Sequence, residues 1–401
     1  MSTQYPIPLT SINPFSSGQD TWRAYDVCLA LQSLQEWKIF KSDLEKPISK
    51  PILLDMNPPL VARVLGHALV LAPNENGRDA LTREILGCNG DHELLAGLAH
   101  LYVKGLIRVF KNPKGPTPAI SVDQSPRLSF TQAVQEQDPH ILRHSLTSSK
   151  ELRSRILFRD KNTCILTGAK EGSLLEPSDI DYMFEHGIGA ESTTVSHIIS
   201  QSISDEIQGN SRKVQEKVYI LVSYIPSVIA HYICFEFEWA KSAAAIIERF
   251  GGFSPHDILG GDVLNSPANA FLSTFAPHAE FDRLSIWLES ARDVNDLELP
   301  DVYNVNHYRD KRWLSLIGRG IKEQVRFTSA TTDDGVFIPP PHRSLLALHA
   351  ACARIAHMSG AAEYLDYLYR EPDSIMTMTE SNAPAELTRI LTALQLAPAK
   401  A

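Results

Sequence analysis

The sequence predicts an α+β protein that is mostly helical, with a small hairpin of two strands and one helix embedded between helical N- and C-terminal regions. Apolar residues recur at helical spacing over residues 22–112 and again over residues 343–370. Between them, residues 193–199 are rich in β-branched side chains, which favours a strand. A short apolar run, residues 270–273, then precedes another segment with helical spacing, residues 275–288.

These patterns divide the chain of 401 residues into six segments, and a chain of this length suits two or three domains. The predicted segments are a loose arm (1–20), a helical N-terminal domain (21–112), a linker (113–142), the hairpin domain (143–327) with a long helical insertion (200–264), a Pro-rich linker (328–342) and a C-terminal helical region (343–401). The hairpin therefore lies near the middle of the chain.

Composition and charge narrow the class of protein. Hydrophobic residues make up 43% of the chain and charged residues 21%, which is typical of a globular protein. The formal net charge of −9 argues against strong, nonspecific binding to duplex nucleic acid, but it leaves room for a local basic surface. The five cysteines are widely spaced and never form a Cys-x-x-Cys pair, so we expect reduced thiols.

Targeting and membrane patterns point to the cell interior. Residues 1–19 lack the basic-then-apolar order of a signal peptide. The most apolar run, residues 218–235, is interrupted by polar residues and a proline, which favours a buried helix pair over a membrane span. We therefore expect an intracellular protein, in the cytoplasm or nucleus, with no membrane partner. The sequence leaves the oligomeric state open.

The candidate catalytic residues lie at the two ends of the stretch 193–282. His197 lies in the first predicted strand, Asn269 opens the second, and His278 lies on the helix that follows. Strand and helix must pack together in such a hairpin, so we expect the imidazoles of His197 and His278 within about 10 Å of each other. An Asn amide can bond to backbone on both sides, which predicts a structural brace at Asn269.

These residues resemble the motif of the HNH nuclease superfamily, whose core is a ββα-metal hairpin. The branch concerned carries His-Ile-Ile, then Asn before a short apolar strand, then His-x-x-Phe-Asp. In this chain the three pieces are residues 197–199, Asn269 and residues 278–282. The resemblance implies a nuclease fold centred on these positions.

The resemblance extends beyond the motif. Residues 159–160 and 164–168 are similar to the start of the same domain, and residues 281–287 are similar to its end. Residues 115–118 and 349–363 resemble parts of uncharacterised fungal proteins that are built around this domain.

The resemblance also implies a role for each motif residue. His197 would be the general base that takes a proton from water, because an imidazole titrates near pH ~6.5. Asn269 would brace the hairpin and orient that base. His278 would bind a divalent ion, which offsets charge on the leaving oxygen.

One departure from the family pattern concerns the metal. Many relatives carry a metal-binding Asp immediately before the base histidine, and this chain has Ser196 there. A hard ion such as Mg²⁺ or Mn²⁺ prefers oxygen donors. Asp282 or Glu280 could supply one, and Asp282 is preferred because it lies four residues from His278 and shares its helix face.

Two stretches flanking the hairpin are basic in an otherwise acidic chain. Residues 143–161 and residues 309–326 each hold six Lys or Arg against two acidic residues. Basic side chains bind phosphate, so both stretches are candidates for nucleic-acid contact. The predicted contacts are Arg153, Arg155, Arg159, Lys311 and Arg312.

The leading prediction is a metal-dependent endonuclease that acts on DNA or structured nucleic acid. One alternative is a non-catalytic interaction protein in which the hairpin survives as a scaffold. Another is an enzyme that uses His197 as a base on a small molecule. A nuclease needs a second metal ligand near His278 and a basic surface leading to it, and a scaffold needs neither. A small-molecule enzyme needs a closed apolar pocket at His197.

Overall fold

The computed structural model describes residues 5–34, 56–111, 149–175, 177–199, 246–254 and 265–370. The predicted linker 113–142, most of the insertion 200–264 and the chain beyond residue 370 lie outside the described residues. None of the helices in the described part of the chain has the length and apolar character that a membrane span requires.

The N-terminal region is helical, as predicted. Its helices are α1 (Asp20–Gln32), α2 (Pro58–Leu71), α3 (Glu75–Gly87) and α4 (His92–His100), and α4 continues as a π-helix (Leu101–Ile107) and a last α-helical turn (Arg108–Phe110). Side-chain oxygens of Asn57, Asn74 and Asp91 accept hydrogen bonds from backbone N–H groups in the first turns that follow them. These caps satisfy donors that a helix start leaves unpaired.

The segment before the hairpin contains two α-helices and two short strands. Helix α5 (Ser149–Arg159) is followed by strand β1 (Lys170–Glu171), helix α6 (Pro177–His186) and strand β2 (Ala190–Glu191). Strands β1 and β2 pair in parallel, so α6 is the crossover that joins them.

The predicted hairpin of two strands and a helix is present. Strand β3 (Thr193–His197) pairs antiparallel with β4 (Ala270–Thr274), with Thr193 opposite Thr274 and His197 opposite Ala270. Helix α7 (Phe275–Asp282) starts directly after β4. A strand that runs straight into a helix brings the helix back over the sheet, which positions His278 beside β3.

The motif helix is shorter than predicted. Helical spacing suggested a helix over residues 275–288, but α7 ends at Asp282 and Leu284 has a left-handed φ of 63°. Strand β5 (Ile286–Arg292) then pairs antiparallel with β6 (Glu298–His307), which also pairs with β7 (Gln324–Arg326). The backbone bonds of this three-stranded sheet override a local apolar period that is compatible with either structure.

The Pro-rich segment 328–342 contains a short pair of strands, β8 (Ala330–Thr331) and β9 (Phe337–Ile338). Helix α8 (Arg343–Ser359) follows, ends at Gly360 with a left-handed φ of 90°, and is succeeded by α9 (Ala361–Arg370). Glycine tolerates this conformation because it has no Cβ atom.

One hydrophobic core joins the described parts of the N-terminal helices, the hairpin and helix α8. Polar contacts tie the same parts together at their ends: Ile7 N donates to Met358 O, and Arg63 Nε donates to Ser359 O. The described residues of the predicted N-terminal, hairpin and C-terminal segments therefore share a core, and α8 packs between α2 and β5.

Candidate functional site

Asn269 extends the pairing of the two strands beyond His197. It is fully buried, its Oδ1 accepts from Ile199 N at 2.8 Å, and its Nδ2 donates to Ile199 O at 3.1 Å. The backbone of Asn269 also accepts from Ile198 N at 2.8 Å. These bonds hold the backbone immediately after His197 on both its donor and its acceptor side, so the amide fixes where the histidine lies.

A buried ion pair supports the second strand from behind. Arg159 and Asp160 have side chains that are 0% and 1% exposed, and the guanidinium bonds to the carboxylate through Nε at 2.7 Å and Nη2 at 3.1 Å. The same carboxylate accepts from Leu272 N in β4 at 2.8 Å. The remaining donors of Arg159 bond to the carbonyls of Pro267, Ala270 and Pro339.

The structure corrects the prediction that Arg159 contacts nucleic acid. Its side chain is buried and its guanidinium donors are engaged by protein carbonyls and Asp160, so it has no surface to offer a phosphate. Two other predicted contacts are partly engaged. Arg153 donates to Thr193 O at 2.9 Å and to Glu171 at 3.1 Å, and Arg155 pairs with Glu151 on α5.

Glu171 anchors the start of β3. Its carboxylate accepts from the backbone N–H and the hydroxyl of Thr193, and from the N–H and hydroxyl of Ser173. Burial alone would raise the pKa of Glu171, but these hydrogen bonds lower it to about 2. The carboxylate is therefore ionised at neutral pH and restrains the strand that carries Ser196 and His197.

His278 is held on both sides of its ring. Ser196 Oγ lies 2.8 Å from His278 Nδ1, and Asp282 Oδ2 lies 3.3 Å from His278 Nε2. Ser196 is fully buried, whereas the side chains of His278 and Asp282 are 25% and 18% exposed. The predicted pair of His278 and Asp282 on one helix face is thus brought together, with Nε2 and the carboxylate on the more accessible side.

Ser196 suits either tautomer of His278. A hydroxyl group can donate to an unprotonated Nδ1 or accept from a protonated one. When Nδ1 carries the proton and donates to Ser196 Oγ, the lone pair of Nε2 faces the carboxylate of Asp282 instead. A hydrogen bond to one ring nitrogen commonly selects the other as a metal ligand in this way.

His197 is partly buried. Its Nε2 atom is buried and has no hydrogen-bond partner among the described residues. Burial, and next the positive charge of His278, lowers the pKa of His197 to about 4. The ring is therefore neutral at pH 7, and the expected closeness of the two imidazoles stays a prediction.

The donor set at His278 fits a divalent ion. Two ligands of one ion, each ~2.0–2.2 Å from it, lie about 3–3.4 Å apart, and Nε2 of His278 is 3.3 Å from Asp282 Oδ2. Within the described ranges, no group of three or more His, Cys, Asp and Glu side chains is arranged to hold a metal. Among the described residues, an ion here would have two protein ligands, His278 and Asp282.

The second basic stretch remains at the surface. Lys311 is exposed, and Arg312 is 84% exposed and paired with Asp310 at 2.9 Å. The loop that carries them packs beside α7: a methyl group at Gly318 would lie 3.5 Å from the Cβ atom of Ala276. The predicted contacts Lys311 and Arg312 therefore lie on a loop that touches the motif helix.

Sequence reasoning missed two residues that shape the site. Ser196 was recognised as a departure from the family pattern, but its bond to His278 depends on the pairing of β3 with β4. Glu171 carries no local signal, since it lies 22 residues before the strand that it anchors.

Comparisons with protein-family models, with curated proteins and with solved structures find no match to this chain. The resemblance to the HNH superfamily therefore rests on the motif residues themselves.

Proposed function

We propose that this chain is a metal-dependent endonuclease of the HNH type, which hydrolyses phosphodiester bonds in DNA or structured nucleic acid. The observation that carries the proposal is the convergence of His278 Nε2 and the carboxylate of Asp282 on α7, next to the strand that carries His197. A base on the strand and an ion-binding pair on the helix are the two parts that phosphodiester hydrolysis requires.

Each residue has a role in this proposal. His197 is neutral at pH 7 and accepts a proton from water through Nε2, while Asn269 keeps the adjacent backbone in place. His278 and Asp282 hold a divalent ion, with Mg²⁺ or Mn²⁺ favoured by the carboxylate oxygen. Such an ion supplies positive charge that stabilises the phosphate oxygens in the transition state. Ser196 keeps Nε2 of His278 directed at the ion.

An intracellular location accompanies this proposal. Four of the five cysteines fall among the described residues, and all four are buried free thiols. Reduced thiols suit the cytoplasm or nucleus, where nucleic acid is also found.

The test is nicking of supercoiled plasmid with Mg²⁺, Mn²⁺ or EDTA. The wild type is expected to nick plasmid with a divalent ion, and His197→Ala is expected to reduce the rate at least 100-fold, in line with the loss of a general base. His186→Ala, which removes an exposed histidine on α6, is the matched control and should retain full activity. Equal rates for wild type and His197→Ala would instead support the scaffold alternative.

A further inference from the structure

The surface loop after β6 holds one arginine against two aromatic rings. The guanidinium carbon of Arg309 lies 4.6 Å from the ring centroid of Trp313 and 5.2 Å from that of Tyr308. Both distances are within the range in which a cation is attracted to the face of an aromatic ring. Arg309 is therefore an exposed cation whose position is set by its neighbours before any ligand arrives.

Arg309 lacks the counterion that two other exposed arginines, Arg292 and Arg312, have among the described residues. Arg292 contacts Asp296 at 3.1 Å and Glu298 at 3.6 Å, and Arg312 pairs with Asp310. Among the described residues, the guanidinium of Arg309 has neither a carboxylate nor a hydrogen-bond partner, so its donors are available to an oxyanion. Lys311, two residues along, is exposed and adds a second positive charge.

Trp313 offers a platform beside these charges. Its side chain remains 40% exposed, and the short 3-10 helix Lys311–Leu316 is held down by the fully buried Leu314. Ile321 N also donates to Leu314 O, which closes the loop from its far end. The indole already has Arg309 over its ring and lies parallel to the ring of His307, with 6.0 Å between the two centroids, so an unpaired base would stack on the part of the ring that these side chains leave exposed.

The loop lies alongside the helix that carries His278. Tyr308 N donates to Ser285 O at 3.0 Å, just beyond the end of α7. Burial lowers the pKa of His307, and the nearby carboxylate of Glu280 on α7 opposes this. The loop therefore lies beside α7 and the residues that directly follow it.

We propose that Tyr308, Arg309, Lys311 and Trp313 form a binding surface for single-stranded nucleic acid, which we name the clamp. Arg309 and Lys311 contact phosphates, and Trp313 stacks on a base. A single strand is favoured over a duplex because its bases are free to stack, and because a chain of net charge −9 with a small basic surface is poorly suited to many duplex phosphate contacts. This inference rests on the proposed function, for which it names the substrate class.

The experiment measures fluorescence anisotropy of labelled oligo(dT), oligo(rU) and a short DNA duplex in EDTA over a range of salt concentrations. Arg309→Ala is expected to weaken binding to single strands about 10-fold and to lower the slope of log K against log salt by about 0.7. Trp313→Ala should weaken binding about 10-fold, as expected for one stacked base, with little change of slope. Arg292→Ala removes the same charge from the other end of the sheet and is the matched control, with no change expected.

Because Arg309 packs on two rings, Lys311→Ala provides a second test at a residue that is exposed. It should also lower the salt slope by about 0.7, with an unchanged melting temperature. Unchanged slopes for both variants, or tighter binding of wild type to the duplex than to either single strand, would overturn the clamp. The two oligonucleotides distinguish a DNA from an RNA strand as the preferred ligand.

Cleavage assays on the same variants separate this inference from the proposed function. Binding that depends on Arg309, with no cleavage by wild type in any divalent ion, would support the clamp and remove the nuclease. Cleavage that depends on His197, with affinity that is indifferent to Arg309 and Lys311, would support the nuclease and remove the clamp.

Discussion

Residues 143–161 and residues 309–326 have the same basic content, six Lys or Arg against two acidic residues, but the protein uses them differently. In the first stretch, Arg159 is buried and bonds to carbonyl oxygens, and Arg153 bonds to the backbone at the start of β3. In the second, Lys311 and Arg312 stay exposed. The two stretches carry the same number of charges. They differ because buried carbonyl oxygens surround the guanidinium of Arg159 in the first stretch.

The physical reason is the cost of burying charge. A guanidinium leaves water only if its charge is paired and its donors are bonded. At Arg159 these requirements are met by Asp160 and by three carbonyl groups, two of which belong to the turn and first residue of β4. A basic side chain thereby becomes part of the framework that aligns the motif strands, while Lys311 and Arg312 of the second stretch stay exposed.

The largest expected effect is therefore on stability, at Arg159. Arg159→Ala should destabilise the protein by about 3–5 kcal/mol, because it leaves Asp160 as an unpaired buried charge and removes the guanidinium donors from three carbonyls. Urea unfolding monitored by circular dichroism measures the change. Arg312→Ala, in the second basic stretch, is the control and should stay within about 0.5 kcal/mol of wild type. A loss below about 1 kcal/mol at Arg159 would contradict the framework role.

Loss of the uncharged Asn269 side chain should also destabilise the protein, but by less than loss of the charged Arg159 side chain. Asn269→Ala leaves the backbone N–H and C=O of Ile199 without their side-chain partner in a buried position, so we expect a loss of about 1–3 kcal/mol together with reduced plasmid nicking. Asn295→Ala, at the exposed turn between β5 and β6, is the matched control. An unchanged melting temperature and unchanged nicking would show that Asn269 is not a brace.

The hydroxyl of Ser196 gives a test of the site itself. Ser196→Ala removes the bond to His278 Nδ1 and should weaken binding of Mn²⁺ by about 10–100-fold, the usual effect of losing a group that orients a metal ligand. Calorimetry with Mn²⁺ measures the affinity, and NMR of the imidazole nitrogens reports the tautomer of His278. Ser315→Ala, on the exposed 3-10 helix, is the control. Identical titrations for all proteins, with no heat of binding, would remove the metal site.

Buried histidines on the core side of α7 predict a pH dependence of stability. Burial lowers the pKa of His349 to about 3 and that of His357 to about 4, below the value of ~6.5 for an unfolded chain. The unfolded state therefore binds more protons between about pH 6.5 and 4. Stability is fully present above pH 6.5 and falls as the pH drops, by up to about 1.4 kcal/mol per pH unit for each histidine.

His349→Leu should flatten that pH dependence by up to about 1.4 kcal/mol per unit, since its ring no longer titrates. The measurement is urea unfolding at several pH values between 4 and 7. His186→Leu, on exposed α6, should keep the wild-type slope. A His349→Leu slope equal to that of wild type would mean that other groups dominate acid unfolding.

Substitutions in the second basic stretch should have the smallest effect on stability, but they should weaken nucleic-acid binding. Charge reversal of Lys311 and Arg312 should change stability by less than about 0.5 kcal/mol, but weaken nucleic-acid binding and flatten its salt dependence. Reversal of Arg153 and Arg155 should mainly reduce stability, because Arg153 holds Thr193 O and Glu171. If both pairs change binding equally and stability not at all, the two stretches are equivalent surfaces.

The sequence was sufficient for several features of the hairpin. Its β-branched strand and the spacing of His278 and Asp282 are local patterns, and each predicts a local structure that the fold contains. The end of α7 was not predictable in this way, because residues 286–288 have an apolar period that a helix and a strand share. Antiparallel pairing with β6 makes this segment the strand β5.

By itself, the sequence determined the order strand, strand, helix at the centre of a mostly helical chain, because these depend on periodicity and turn residues within short windows. Tertiary structure alone decided that Arg159 is buried, that Ser196 bonds to His278 across 82 residues, and that Arg309 faces two rings without a counterion. Burial and partner choice depend on which distant groups meet, and a linear pattern of charges or histidines does not contain that information.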